Sequence, residues 1–109
     1  MEKRSDMRHS VGLKAELLCD RKCYAGFVEN LSENGLHIKA YPMNHSVDFA
    51  PGTGFELKFQ IYSGEVIDLF CKVIWSNKIL HHSVACCIGT EIIEPSLKYR
   101  EFFKSLSKK

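Results

Sequence analysis

From residue 11 the chain alternates between apolar and polar positions. Val11, Leu13, Ala15, Leu17 and Cys19 fall on one parity, with Gly12, Lys14, Glu16 and Asp20 on the other. Successive side chains of an extended chain point to opposite sides, so this period of two predicts a strand with one buried face. Asp20, Arg21 and Lys22 make a polar turn, and residues 23–29 read as a second strand. Leu36, Ile38 and Ala40 alternate with His37 and Lys39 in a third. Residues 41–53, with Pro42, Asn44, Ser46, Asp48, Pro51 and Gly52, read as a long loop. Phe55, Leu57, Phe59 and Ile61 alternate with Glu56, Lys58 and Gln60 in a fourth strand, joined through a short connection to a fifth at 66–76. There Leu69, Cys71, Val73 and Trp75 share one parity and are expected on one face. Residues 77–81 connect to a sixth strand at 82–93. Six strands with polar turns at short spacing predict an all-β sandwich or barrel, and closing the sheet removes open edges.

After Ile93 the period changes. Glu94-Pro95 can open a helix, since proline is tolerated in a first turn. Tyr99, Phe102, Phe103 and Leu106 then follow helical spacing, with Lys98, Arg100, Lys104 and Lys108 mostly opposite. The aromatic stripe is expected to pack on the barrel or on a partner. The organisation is one domain: an N-terminal arm at 1–10, expected to be flexible as chain ends usually are, a β body at 11–93 and a helix at 94–109.

Composition narrows the functional classes. Of 109 residues, 45% are apolar and 26% charged, ordinary values for a globular chain. No apolar run approaches the ~20 residues of a membrane-spanning helix, and the charged start lacks a secretory signal, so the cytoplasm is the expected compartment. The net charge of +2 is too small for bulk DNA or RNA binding. Five cysteines without a signal peptide are expected to remain thiols. Cys19-x-x-x-Cys23 does not fit the usual paired zinc spacing, and no metal is expected.

Two stretches carry candidate chemistry. Asn30-Leu31-Ser32-Glu33-Asn34-Gly35 lies between two strand-like runs. As a plain hairpin turn it explains Gly35, because glycine and asparagine tolerate positive φ. Asn30 and Ser32, two apart, also place an amide and a hydroxyl on one face of extended chain beside that turn. The second stretch, Lys3-Arg4-Ser5-Asp6-Met7-Arg8, spaces two arginines four apart. A guanidinium fork grips a phosphate, or the O6/N7 edge of guanine, through two hydrogen bonds. Taken alone, Arg4 and Arg8 read as a solvated basic tail, and Asn30 and Ser32 as hairpin caps.

Together, Arg-x-x-x-Arg followed about twenty residues later by Asn-x-Ser-x-x-Gly resembles the signature of the PilZ domain, a bacterial receptor module for cyclic di-GMP. Arg4, Arg8, Asn30, Ser32 and Gly35 fill its defined positions. The resemblance implies a six-stranded antiparallel PilZ-type β-barrel with a C-terminal α-helix. Pro51-Gly52-Thr53, Trp75 and Gly89 look like further family features. It implies cyclic di-GMP as the ligand with no cofactor, and no catalysis. Arg4 and Arg8 would take phosphates and guanine edges, Asn30 a guanine donor, Ser32 the ligand or the turn, and Gly35 the tight approach. Lys3 would add a cation, and Trp75 a stacking face. Asn30 stands where many relatives have aspartate, keeping the acceptor without the charge. The implied output is an arm that orders around the ligand and a surface that changes for an effector protein. The alternatives are a PilZ-like interaction module that does not bind the ligand, and a small barrel for single-stranded nucleic acid. The latter needs exposed aromatics in a basic groove, whereas the aromatics here mostly follow the core parity. No Ser-His-Asp set, paired-carboxylate spacing or phosphate-binding glycine loop supports an enzyme.

Overall fold

The computed structural model describes residues 7–41, 49–80 and 84–107. Six antiparallel strands are present: β1 His9–Cys19, β2 Lys22–Leu31, β3 Gly35–Tyr41, β4 Gly54–Gln60, β5 Val66–Leu80 and β6 Val84–Ile93, followed by helix α1 Leu97–Ser107. They close in the order β1-β2-β3-β6-β5-β4. The alternation seen in the sequence sorts the side chains. Leu13, Leu17, Val28, Ile38, Leu57, Phe59, Leu69 and Ile88 fill the interior, while Lys14, Glu16, Glu56 and Lys58 face outward. Phe49, from the predicted loop, is also buried, edge-on to Tyr24 and Phe55.

Three boundaries differ from the sequence reading. His9 and Ser10 belong to β1, pairing with Leu31 and Asn30. The predicted connection after Ser76 is largely strand, because Asn77 to Leu80 continue to pair with Cys87 to Val84. The helix begins at Leu97, not at Glu94. Glu94 takes a left-handed φ of 57°, and Ser96 caps the helix by accepting the Tyr99 backbone N–H at 3.1 Å. Pro95 therefore precedes the cap and lies outside the first turn. The stripe packs on the barrel as expected: Tyr99 and Phe102 are buried, and the Phe102 ring lies 6.4 Å from that of Phe59.

The β1–β2 turn holds Asp20 and Arg21 at φ of 56° and 68°. This is the geometry of a two-residue hairpin turn that favours Asn-Gly. Left-handed backbone costs a side-chain-bearing residue ~1–2 kcal/mol, and glycine's extra freedom when unfolded offsets part of that relief. Arg21→Gly should therefore stabilise the fold by about 0.5–1 kcal/mol, seen as a melting temperature a few degrees higher.

Candidate ligand-binding site

Of the predicted site residues, Asn30 and Trp75 fall in a belt where the strand registers slip. Along β2 and β3, Val28 opposes Ile38 but Asn30 opposes His37, so β2 carries one extra residue. Along β5 and β6, Val73 opposes Thr90 but Trp75 opposes Gly89. A third slip lies between Ser10 and Leu13 of β1. A bulge of this kind re-aims the side chains beyond it. Asn30 has the parity of the buried Val28 and Trp75 that of the buried Val73, yet neither is in the core. The expectation that Trp75 shares a face with Leu69, Cys71 and Val73 is thus corrected. The extra residue in β5 turns Trp75 onto the outer surface, where it is 40% exposed.

The outcome is a continuous outer row across five strands: Ser10 beside Asn30, Asn30 beside His37, His37 beside Gly89, and Gly89 beside Trp75. Arg8, just ahead of β1, closes one end by donating from Nε to Asn30 Oδ1 at 2.7 Å. A guanidinium has five N–H donors, and among the described residues this bond engages only the inner one. The Asn30 oxygen that the sequence reading assigned to a ligand donor already accepts from Arg8. Its amide N–H pair and a second lone pair are further hydrogen-bonding groups. At the other end, the indole of Trp75 covers Gly89; a Cβ there would sit 2.2 Å from Trp75 Nε1. The missing side chain lets the rings of Trp75 and His37 meet edge to face across β6, centroids 5.3 Å apart. Burial first, and the Arg8 guanidinium second, hold the His37 imidazole below the ordinary histidine range, while Glu29 pulls the other way. His37 was not singled out in the sequence; its only signal there was a polar parity between Leu36 and Ile38.

Ser32 and Gly35 shape the turn beside that row. Ser32 is buried, and both its N–H and its hydroxyl donate to the Gly35 carbonyl, at 2.8 and 3.3 Å. This closes the turn that follows Asn30, so the hydroxyl braces the turn. Gly35 does not use left-handed backbone, which among the described glycines belongs to Gly52 and Gly64. Glycine is needed because a Cβ at 35 would lie 2.6 Å from the Thr90 carbonyl oxygen across the β3–β6 seam. The turn is held from beneath by α1: the buried Tyr99 hydroxyl donates to the Ser32 carbonyl at 2.5 Å. The Asn34 carbonyl accepts from Ile92 N at 2.8 Å. The helix also reaches the start of β1, where His9 meets Phe103 edge to face at 5.3 Å. Lys3 and Arg4 lie outside the described residues, as does most of the expected arm.

Cys71 is buried beneath this turn, and desolvation pushes its thiol up to about 12, against an ordinary 9.0. Burial raises the Tyr99 phenol as well, with Cys71 adding to it and Arg8 opposing. Between pH 9 and 12 the unfolded chain has released a thiol proton that the folded chain keeps, so stability falls as pH rises there. At about pH 10 the loss should be ~1.4 kcal/mol relative to pH 8, since one pKa unit is worth ~1.4 kcal/mol. Urea midpoints at the two pH values measure it, and Cys71→Ala should show a smaller drop.

Elsewhere, a shallow hollow of about 600 Å³ over β1, β2 and β4, lined by Lys14, Glu16, Ala25, Phe27, Lys58 and Gln60 among others, contains none of the motif residues. Among the described residues no group of three His, Cys, Asp or Glu is placed to hold a metal ion. Nor is any helix long and apolar enough to cross a membrane.

The slipped-register belt thus sets Arg8, Asn30, His37 and Trp75 in one outer row beside a braced Asn-x-Ser-x-x-Gly turn of a closed six-stranded barrel. The PilZ domain model matches residues 2–107, and the chain belongs to the PilZ family. Two solved structures share the fold. The Bacillus subtilis inhibitor of motility MotI/DgrA is similar with a TM-score of 0.73 at 13% identity, over 100% of this chain and 54% of that one. This chain thus spans about half the length of MotI. The PilZ domain of Escherichia coli YcgR, determined with cyclic di-GMP, is similar with a TM-score of 0.71 at 12% identity, over 96% of this chain and 88% of that one. Among curated proteins none matches by sequence.

Proposed function

We propose that this chain is a cyclic di-GMP receptor that acts on a separate protein. The observation that carries the reading is the Arg8–Asn30 pair at the head of an outer row ending in Trp75. The ligand has two anionic phosphates and two guanines. Arg8 offers charge and its two terminal guanidinium nitrogens for a phosphate or a guanine edge, and Asn30 offers an amide for the Watson–Crick edge. Trp75 offers a half-exposed ring on which a base can stack, a contact worth ~1–3 kcal/mol. Ser32 and Gly35 keep Asn30 in place. Membership of the PilZ family and the likeness to a YcgR domain determined with this nucleotide support the same ligand.

Arg4 and Lys3 join the site when the arm closes over the ligand. Ordering the arm costs conformational entropy, which the charge-assisted contacts must exceed, and the closed arm changes the surface offered to an effector protein. Calorimetric titration of the whole chain with cyclic di-GMP tests this, with GTP and linear guanosine dinucleotide as competitors. Saturable binding that neither competitor displaces is expected, with slower amide exchange over residues 1–8. The absence of binding by the unmodified chain would overturn the receptor reading in favour of a ligand-independent adaptor.

A further inference from the structure

We propose that His37 is a further ligand-binding residue of this site, and that its imidazole takes up a proton as the nucleotide seats between Arg8 and Trp75. Affinity therefore rises below neutral pH. The inference rests on the receptor reading and adds to it a recognition group outside the family motif.

The placement carries the idea. His37 is the middle position of the outer row, flanked by Asn30 on β2 and Gly89 on β6. Its ring stands edge to face with Trp75 at 5.3 Å, so a base resting on the indole lies against the imidazole. Among the described residues, the charged groups that face it are few. Arg8 approaches from the chain ahead of β1, and Glu29 from β2. Glu29 is itself paired at 3.8 Å with Lys39 of β3, the strand that carries His37. Gly89 and Trp75 bring no charge from β6 and β5.

Without a ligand, burial and the Arg8 cation both oppose an imidazolium here. An anionic phosphate seated on Arg8 reverses that field. The ligand's outward atoms near such a position, phosphate oxygens and guanine O6 and N7, are hydrogen-bond acceptors. A neutral imidazole offers them one donor, whereas an imidazolium offers two. An imidazolium against an indole also gains a cation–π attraction. The phosphate charge, the acceptor atoms and the indole thus favour the protonated ring, and together they must outweigh the further desolvation that a seated base brings. Uptake of one proton can change affinity by at most tenfold per pH unit.

The test is calorimetric titration of the whole chain with cyclic di-GMP at about pH 6 and about pH 8, around the histidine range. At each pH two buffers of different ionisation enthalpy are used, so that buffer-dependent heat counts protons taken up. The expected result is binding about 3–10-fold tighter at the lower pH, with net proton uptake. His37→Gln, polar but not titratable, should bind with a flat pH profile and little uptake, while His9→Gln should keep the slope. Binding by the unmodified chain that is pH-independent and takes up no proton would overturn the inference and leave the receptor reading standing. A slope that persists in His37→Gln would do the same. No binding at either pH would remove the receptor reading itself, and the inference with it.

Discussion

Arg8→Ala should weaken cyclic di-GMP binding about 100-fold while leaving the melting temperature almost unchanged. Charge-assisted hydrogen bonds contribute ~1.5–3 kcal/mol each, and ~2.7 kcal/mol is a factor of about 100 in affinity. The loss is compounded because Arg8 and Asn30 orient each other: the 2.7 Å bond from Nε fixes the plane of the fork and the rotamer of the amide. Removing Arg8 therefore also loosens Asn30. Stability should change by no more than ~0.5 kcal/mol, since Arg8 is exposed and lies outside β1. Arg8→Lys keeps the charge but not the fork, and should fall between the two. Titration calorimetry and thermal melts on the same samples separate the effects. Unaltered affinity in Arg8→Ala would place the ligand elsewhere on the barrel.

Gly35→Ala should destabilise the fold by about 3 kcal/mol and remove ligand binding with it. Overpacking a tight site costs ~1–3 kcal/mol, occasionally more. Here the obstacle is a backbone carbonyl, Thr90 O at 2.6 Å from the added carbon, which cannot swing aside as a side-chain tip can. To relieve the clash, β3 must part from β6 where Gly35 opposes Glu91 and Leu36 opposes Thr90. The same movement pulls the Gly35 carbonyl from Ser32 and slackens the turn behind Asn30. A melting temperature lower by 10 °C or more is expected, at ~4–8 °C per kcal/mol for a domain of about this size. A variant that melts like the parent would show that the seam yields easily, and the close approach would lose its explanation.

These two predictions differ in how far they were legible in the chain itself. Arg8 stood out only because its spacing to Arg4 and to Asn-x-Ser-x-x-Gly resembles the PilZ signature; by its own chemistry it reads as part of a solvated basic tail. For Gly35 the sequence pointed to a turn and a positive φ, but the backbone there is not left-handed, and the constraint comes from a carbonyl on β6. Ser32 reads in the sequence as a ligand contact or a brace, and in the fold its hydroxyl donates to the Gly35 carbonyl and braces the turn, with its acceptor lone pairs kept. Trp75 was expected beside Val73 and lies on the outer surface, next to a histidine that nothing in the motif marks.

What the sequence alone determined follows from local rules. Period-two alternation decides which residues make strands and which parity seeks the interior, because it depends only on successive side chains along one chain. Helical spacing did the same for Tyr99, Phe102 and Phe103, which meet the barrel as that spacing requires. What only the tertiary structure decided depends on what lies opposite. A bulge exists only relative to a partner strand, so the slips after Val28 and Val73 that expose Asn30 and Trp75 leave no mark in either strand's own pattern. Closure set β3 against β6 and β1 against β4, far apart in sequence. That pairing brought His37 to Trp75 across a bare glycine and set the Tyr99 hydroxyl under Ser32.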